Sequence, residues 1–157
     1  MDPLAGLVAL VALPVLATVA GLAWRARQGH VRRSAPPVAG AADAAGTAST
    51  VTALGLDPAA LGDRVTLVQF STEFCSRCPA TARELTAIAG DYEGVRHVEI
   101  DLTRDAALAD RFHVTQTPTT LVLDARGEQT ARIGGAPRTR EVRELLDSIT
   151  RRTRVAS

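Results

Sequence analysis

The sequence predicts an α/β domain whose mixed central sheet is covered by helices on both faces, preceded by one transmembrane helix and a flexible linker. Three observations carry this prediction: an uncharged apolar run, a stretch of small residues, and then alternating strand and helix patterns that end in a hairpin and a closing helix. We assign residues 3–24 to the transmembrane helix, 25–50 to a basic juxtamembrane segment and flexible linker, 51–152 to the folded domain and 153–157 to a tail.

The apolar run "PLAGLVALVALPVLATVAGLAW" contains no charged residue. As a helix it is long enough to cross a hydrocarbon core of about 30 Å. Only Asp2 and the amino terminus precede the run, whereas a cleaved signal peptide needs basic residues there. The basic residues follow it instead, at Arg25, Arg27, Arg32 and Arg33. Basic residues that flank a membrane helix usually stay on the cytoplasmic side. We therefore expect a single-pass cell-membrane protein with a cytoplasmic domain; an exported domain is the alternative.

The linker prediction rests on "SAPPVAGAADAAGTAST", residues 34–50, which are small residues with Pro, Gly, Ser and Thr. Such a segment buries too little surface to offset the entropy lost on ordering. We therefore expect a flexible tether between the helix and the folded domain.

Composition excludes two classes of protein. The formal net charge is +1, and acidic residues are mixed with the arginines, so no extended basic face is available for nucleic acid. The chain has 2 cysteines, too few for the dense disulfide framework of a small secreted scaffold. The spacing of those cysteines therefore matters more than their number.

Apolar periodicity places the elements of the domain in the order strand, helix, strand, helix, strand, strand, helix. The "ARGE" segment has the composition of a hairpin turn between the last two strands. A further element precedes them around "STVTALGLDPAALG". The predicted strands cover residues 64–70, 95–102, 119–124 and 129–134, and the predicted helices cover 78–89, 105–112 and 139–150.

Cys75 and Cys78 form a C-x-x-C motif between the end of a strand and the start of a helix. Free N–H groups and the helix dipole favour a thiolate there, which predicts a depressed pKa for Cys75. One helical turn brings Cys78 close enough to form a disulfide with Cys75. Arg77 adds a positive charge beside the thiolate. Redox exchange is therefore predicted, with Cys75 attacking and Cys78 resolving.

Two other roles for the cysteines stay open at this stage. Half of a zinc site would need a second ligand cluster, and the histidines at positions 30, 97 and 113 are scattered. A purely structural disulfide is possible in an exported domain, although so short a link constrains little of the unfolded chain. We predict no metal and no cofactor other than the redox-active Cys75–Cys78 disulfide.

The element order, "FCSRCP" at the strand-to-helix junction and "TP" at Thr117 and Pro118 resemble the thioredoxin family over residues 51 to 152. The resemblance implies that Pro118 is a cis-proline packed against the cysteine pair and that the Thr117 backbone pairs with a substrate chain. It also implies that Gly134 lines the substrate groove. Phe74, Ser76 and Arg77 complete the substrate-binding residues that the resemblance implies.

Three departures from the family pattern involve four positions. Phe74 stands where the family usually has tryptophan, and Ser76 and Arg77 replace Gly and Pro between the cysteines. Gln69 stands where many relatives carry a buried acid that accepts the resolving thiol's proton, which a neutral amide cannot do. Glu73 or Glu84 is the candidate to accept this proton, through water, in place of the buried acid.

The resemblance implies a thiol:disulfide oxidoreductase that takes protein disulfides or thiols as substrates and needs an upstream electron donor. Two alternatives are retained. One is a membrane-tethered docking or redox-sensing module, and the other is an exported thiol–disulfide exchanger.

Overall fold

The structure, a computed structural model, describes residues 3–33 and 50–155, so the linker predicted at 34–50 lies almost wholly outside the described residues. Residues 50–53 are helical, and a single 3-10 turn follows at Pro58–Ala60. The helices are α1 (Pro3–Arg27), α2 (Cys78–Gly90), α3 (Ala106–Arg111) and α4 (Thr139–Val155). The strands are β1 (Val31–Arg33), β2 (Val65–Ser71), β3 (Val95–Asp101), β4 (Thr119–Asp124) and β5 (Gln129–Gly134).

The five strands form one mixed sheet in the order β1-β5-β4-β2-β3. β2 is parallel to β3 and antiparallel to β4, while β5 is antiparallel to both β4 and β1. Every residue of β2 is buried, as predicted for a run of β-branched and apolar residues in the middle of a sheet. The mixed α/β fold predicted from the element order is confirmed.

Two apolar clusters pack on opposite faces of the sheet because successive strand residues point to opposite sides. One cluster joins Val65 and Leu67 of β2 to Leu85 of α2 and Leu146 of α4. The other joins Val68 and Phe70 of β2 to residues of β4 and to the partly buried α3 residues Leu108 and Ala109. Burying a side chain such as that of Phe70 stabilises the fold by about 1.5–3 kcal/mol.

The β4–β5 hairpin follows the predicted turn. The Asp124 carboxylate accepts hydrogen bonds from the backbone N–H groups of Arg126, at 2.9 Å, and Glu128, at 3.0 Å. Gly127 adopts a φ of 78°, a left-handed conformation that glycine reaches at no steric cost. The "ARGE" segment therefore forms its turn through an acidic cap and one glycine.

The closing helix α4 is longer than predicted. It runs to Val155 rather than ending at residue 150, so it includes part of the segment 153–157 that the sequence analysis assigns to a tail. The sequence beyond residue 150 offers no glycine or proline to stop it, and arginine is a good helix former.

Helix α1 carries large apolar side chains that remain exposed to solvent. The exposed fraction ranges from 55% to 73% for Leu10, Leu13, Val15, Leu16, Val19 and Leu22. Among the residues that the structure describes, no helix is both long enough and apolar enough to cross a membrane. The transmembrane helix predicted over residues 3–24 is not confirmed by this finding.

β1 is a strand that the sequence analysis does not predict. It lies within the segment assigned to the basic juxtamembrane region, where Arg32 and Arg33 suggest solvent or lipid headgroups as neighbours. Val31 pairs with Ile133, and Arg33 with Ala131, along the outer edge of β5. The chain directly after α1 is therefore part of the folded domain's sheet.

His97 of β3 generates a prediction about the pH dependence of stability. Its Nδ1 lies 3.0 Å from the Thr86 hydroxyl, and its buried Nε2 has no hydrogen-bond partner among the described residues. Burial lowers the pKa of His97 and outweighs the opposing attraction of Glu99. The unfolded chain thus takes up this proton at a higher pH than the folded chain does.

We expect the free energy of unfolding to fall as the pH is lowered through about 6.5, the ordinary histidine pKa, with a slope of at most about 1.4 kcal/mol per pH unit from this proton. Replacing His97 with Asn should reduce that slope. Urea unfolding at several pH values between 5 and 8 measures it. Identical slopes for the parent and His97→Asn would contradict the assignment.

Candidate active site

The cysteine pair lies directly after the buried strand β2. Cys78 is the first residue of α2, and Cys75 lies in the turn before it, where its N–H donates to the Thr72 carbonyl at 3.1 Å. The two residues form a disulfide with a Cα–Cα distance of 5.4 Å, within the ordinary range for such bonds. Cys78 is 2% exposed, whereas Cys75 is partly exposed. An incoming group can therefore reach Cys75 more readily than Cys78.

The Thr117–Pro118 loop lies beside the cysteines, and its peptide bond is cis, as the resemblance implies. The Thr117 hydroxyl is 3.3 Å from that of Thr72, which ties this loop to the cysteine loop. The Pro118 carbonyl accepts a hydrogen bond from the Gly135 N–H at 2.8 Å. Three separate segments of the chain thus meet at one end of the sheet.

Arg132 of β5 binds the segment that leads into this loop. Its guanidinium donates to the carbonyls of Phe112, at 2.8 Å, and His113, at 2.7 Å. Both carbonyls lie just past the end of α3, where helix carbonyls lack partners within the helix. Burial lowers the pKa of Arg132, although the group stays cationic at any physiological pH. Arg132 therefore has a structural role in placing the segment that leads to Thr117.

Two adjoining cavities open over this meeting point. One, of about 420 Å³, is lined by Cys75 and by Thr72, Phe74, Ser76, Arg77 and Thr117. The other, of about 460 Å³, is lined by Pro118, Gln116, Gly135, Gln28 and Ala136 and shares Arg77 and Thr117 with the first. The structure thus brings together the predicted residues Phe74, Cys75, Ser76, Arg77, Thr117 and Pro118.

Phe74 is the most exposed of the large apolar side chains described, at 86%. An exposed aromatic ring beside a reactive group is typical of a surface that contacts a partner. Gly134 does not line either cavity itself, but a Cβ there would lie 2.8 Å from Nε2 of Gln116, a cavity residue. The glycine therefore leaves room for a side chain that forms the groove wall.

Gln69, the neutral amide at the position where the resemblance implies a buried acid, contacts the backbone of Cys78. It is fully buried, and its Nε2 donates to the Cys78 carbonyl at 3.1 Å and to Glu99 Oε1 at 3.5 Å. Its Oε1 and the hydroxyl of Thr120, which pairs with Gln69 across the sheet, are buried without a hydrogen-bond partner among the described residues. Gln69 thus supports the first turn of α2 from below.

The carboxylate next to Gln69 is Glu99, not one of the two acids that the sequence analysis suggests. Glu84 instead accepts a hydrogen bond from the Thr139 hydroxyl at the start of α4. The backbone N–H of Glu73 donates a hydrogen bond to the Thr103 hydroxyl at 2.9 Å. Only the register of β2 on β3, which sets Gln69 opposite Glu99, reveals this neighbour.

Thr72, Gln116 and Gln28 are cavity residues that sequence reasoning missed. Thr72 follows β2 and precedes the cysteines, a position that signals proximity to the site. Gln116 precedes the Thr-Pro pair and could have been found in the same way. Gln28 lies far from either motif in the sequence, and nothing in its surroundings points to the site. No cluster of three or more potential metal-ligating side chains occurs among the residues described.

A family model described as Thioredoxin matches residues 57–150, which is more than half of the chain. The chain belongs to the thioredoxin family. It is similar to a thioredoxin of Echinococcus granulosus, with 29% identity over 59% of this chain and 85% of the relative. It is also similar to one of Staphylococcus haemolyticus, with 31% identity over 53% of this chain and 80% of the relative. These thioredoxins support thiol:disulfide oxidoreductase activity in this chain.

Solved thioredoxins share the fold. A Nicotiana alata thioredoxin matches with a TM-score of 0.50 and 23% identity, over 64% of this chain and 80% of that one. A Halobacterium salinarum thioredoxin matches with a TM-score of 0.50 and 23% identity, over 56% of this chain and 76% of that one. The thioredoxin-like fold predicted from the sequence is thereby confirmed.

Gln69→Glu tests the environment beneath Cys78. The new carboxyl would face the Cys78 carbonyl and Glu99, and only its protonated form could donate to them, so its pKa should rise well above the usual glutamate value. We expect the variant's free energy of unfolding to match the parent's near pH 4 and to fall below it as the pH rises, by about 1.4 kcal/mol per unit of pKa shift.

Urea unfolding between pH 4 and 8 measures this difference, with Ala87→Glu at an exposed position of α2 as the control. The control should follow the parent across the range. If Gln69→Glu does the same, the buried contacts assigned to Gln69 are incorrect.

Proposed function

We propose that this member of the thioredoxin family reduces or exchanges disulfides of protein partners, with Cys75 as the nucleophile and Cys78 as the resolving cysteine. The observation that carries the proposal is the difference in exposure within one disulfide. Cys75 borders an open cavity, while Cys78 is 2% exposed. A substrate sulfur can therefore reach Cys75 from the cavity, whereas Cys78 is accessible to Cys75 and not to a substrate.

The reaction starts from the reduced pair. The Cys75 thiolate attacks one sulfur of the substrate disulfide, that bond breaks, and the other substrate sulfur leaves as a thiolate. The Cys78 thiol then loses its proton and attacks Cys75, which forms the internal disulfide and releases the second substrate thiolate. Two electrons pass to the substrate, and a dithiol donor upstream returns the pair to its reduced state.

The surroundings support the first step more than the second. Residues 75–77 precede the first turn of α2, where free N–H groups favour negative charge, and Arg77 adds a cation. Gln69 offers no proton acceptor for Cys78, so that proton must leave by another route. We infer that the second attack depends more strongly on pH than the first.

Cys78→Ser should trap the substrate. The variant keeps the nucleophile but cannot resolve, so a mixed disulfide through Cys75 should accumulate when a disulfide-bonded protein such as insulin is the test substrate. Cys75→Ser should form none, and both variants should reduce insulin no faster than the uncatalysed reaction. Mass spectrometry of alkylated samples identifies the adduct and the residue that carries it.

Insulin reduction, a binding assay and a redox-potential measurement together separate the rival functions. A docking or sensing module would give no insulin reduction by the parent and full partner binding by the double variant Cys75→Ser, Cys78→Ser. An exported exchanger would keep the chemistry but have a more oxidising equilibrium potential than cytosolic thioredoxins. Measuring the potential of the Cys75/Cys78 pair therefore discriminates reductase from oxidant.

We further propose that α1 tethers the domain to the cell membrane, with the domain on the cytoplasmic side. The support is the charge-free run at 3–24, the exposed leucines and valines of α1, and the arginines that follow. Among the described residues, no helix is both long and apolar enough to cross a membrane. The proposal therefore rests on the sequence of the complete run.

Paired substitutions test the tether. Each arginine at the centre of a membrane helix costs about 2.5–3.5 kcal/mol of insertion free energy, so Leu13→Arg with Leu16→Arg should move the chain from the membrane to the alkaline-extractable fraction. Leu13→Ala with Leu16→Ala is the matched control and should stay in the membrane. A reporter fused at Ser157 that is active only on the outer side would overturn the proposed orientation.

A further inference from the structure

The segment that follows α1, residues 28–33, is bound to the folded domain at several points, and we call it the strap. Its β1 residues pair with β5, and the Gly29 N–H donates to the Gly134 carbonyl at 2.8 Å. Glu141 of α4 contacts the strap twice, at 2.8 Å from His30 Nδ1 and 3.1 Å from the Val31 N–H. These contacts fix the strap against the rim of the active site.

Gly29 allows the strap to approach the rim closely. Its φ is 76°, and a Cβ at this position would lie 2.4 Å from the backbone carbonyl oxygen of Ala136. Any larger residue would push the strap away from the domain. The preceding residue, Gln28, consequently lies beside the groove, with its Cβ 3.5 Å from the point where a Cβ on Gly135 would stand.

The groove that Gln28 borders contains polar side chains that are open to a ligand. Across the part of the chain described, the side-chain amides of Gln28 and Gln116 make no hydrogen bond, and Arg77 pairs with no carboxylate. Arg77 borders both cavities and therefore lies between Cys75 and Gln28. Two amides and one cation thus face the same concave surface next to the cis peptide bond.

We propose that Gln28 is a substrate-binding residue, and that the groove it completes takes an extended peptide with an acidic side chain next to the cysteine that Cys75 attacks. This inference rests on the proposed reduction of protein disulfides and names the substrate class. The carboxylate pairs with Arg77, and the amides of Gln28 and Gln116 bond to the peptide backbone, because amide groups both donate and accept.

The strap lies outside the part of the chain that matches the family model. The family model matches residues 57–150, so Gln28 lies outside the part of the chain that the family shares. The remaining groove residues come from within that range. Any substrate selection by Gln28 is therefore a property of the strap.

The test uses the full-length reduced protein in detergent micelles and two symmetric, disulfide-linked peptide dimers. The dimers differ only in having Asp or Asn next to the cysteine. Single-turnover rates over a range of peptide concentrations separate binding from chemistry. The neutral small molecule 2,2'-dipyridyl disulfide reports the reactivity of Cys75 without a peptide.

We expect the parent to favour the Asp peptide by about two- to five-fold, the range for a solvent-exposed ion pair. Arg77→Gln should lower that preference toward one. Gln28→Ala should weaken binding of both peptides by about three- to ten-fold, with the maximal rate unchanged. Its rate with dipyridyl disulfide should equal that of the parent, because the small disulfide does not reach the strap.

Arg32→Ala is the matched control, since it alters an exposed side chain on the strap that does not line the groove. It should bind both peptides as the parent does. The inference is overturned if Gln28→Ala binds them as well as Arg32→Ala, or if Arg77→Gln keeps the full preference for Asp. Failure of the proposed function would look different, because the parent would then reduce neither the peptides nor dipyridyl disulfide.

Discussion

The antiparallel pairing of β2 with β4 is the interaction on which the rest of the site depends. It sets Phe70, near the end of β2, opposite Thr119, at the start of β4. Whatever follows β2 must then lie next to whatever precedes β4. The cysteine turn and the Thr117–Pro118 loop are those two segments, so one strand register brings the redox pair and the cis peptide bond together.

Burial strengthens this arrangement because β2 is covered on both faces and flanked on both edges. A slip of one residue would exchange the two faces of β2, so that Gln69 would enter the opposite apolar cluster and the side chains of both clusters would no longer fit. Gln69 would then lose both the Cys78 carbonyl and Glu99. The same register that fills the two apolar clusters therefore also places the amide beneath the redox pair.

Local patterns in the sequence were sufficient for much of this architecture. The apolar spacing of α2 and α4 and the β-branched runs of β2 and β4 predict their elements because burial follows the period of each structure. Cys75, Cys78, Thr117 and Pro118 came from motif spacing together with the family resemblance.

Other features depend on contacts between distant residues and leave no local pattern. Glu99 becomes the neighbour of Gln69 only through the register of β3 on β2. The sequence pattern of the three β1 residues is that of a basic segment next to a membrane helix. Their pairing with β5 depends on the free edge of that strand, which exists only in the folded sheet. Gln28 lines the groove for the same reason, because the pairing of β1 with β5 holds the preceding residues against the domain.

The close spacing of α1 and β1 has a mechanical consequence. Residues 28–30 are all that separates Arg27, the last residue of the helix, from the first strand of the sheet. The helix is thus joined to the domain by a short connection that is hydrogen-bonded to the domain. A connection of three residues keeps the first strand within roughly 15 Å of the end of the helix, since an extended chain spans at most about 3.6 Å per residue. The catalytic rim, which the strap borders, therefore stays close to the end of α1, and a partner has to come near that end of the helix to reach Cys75.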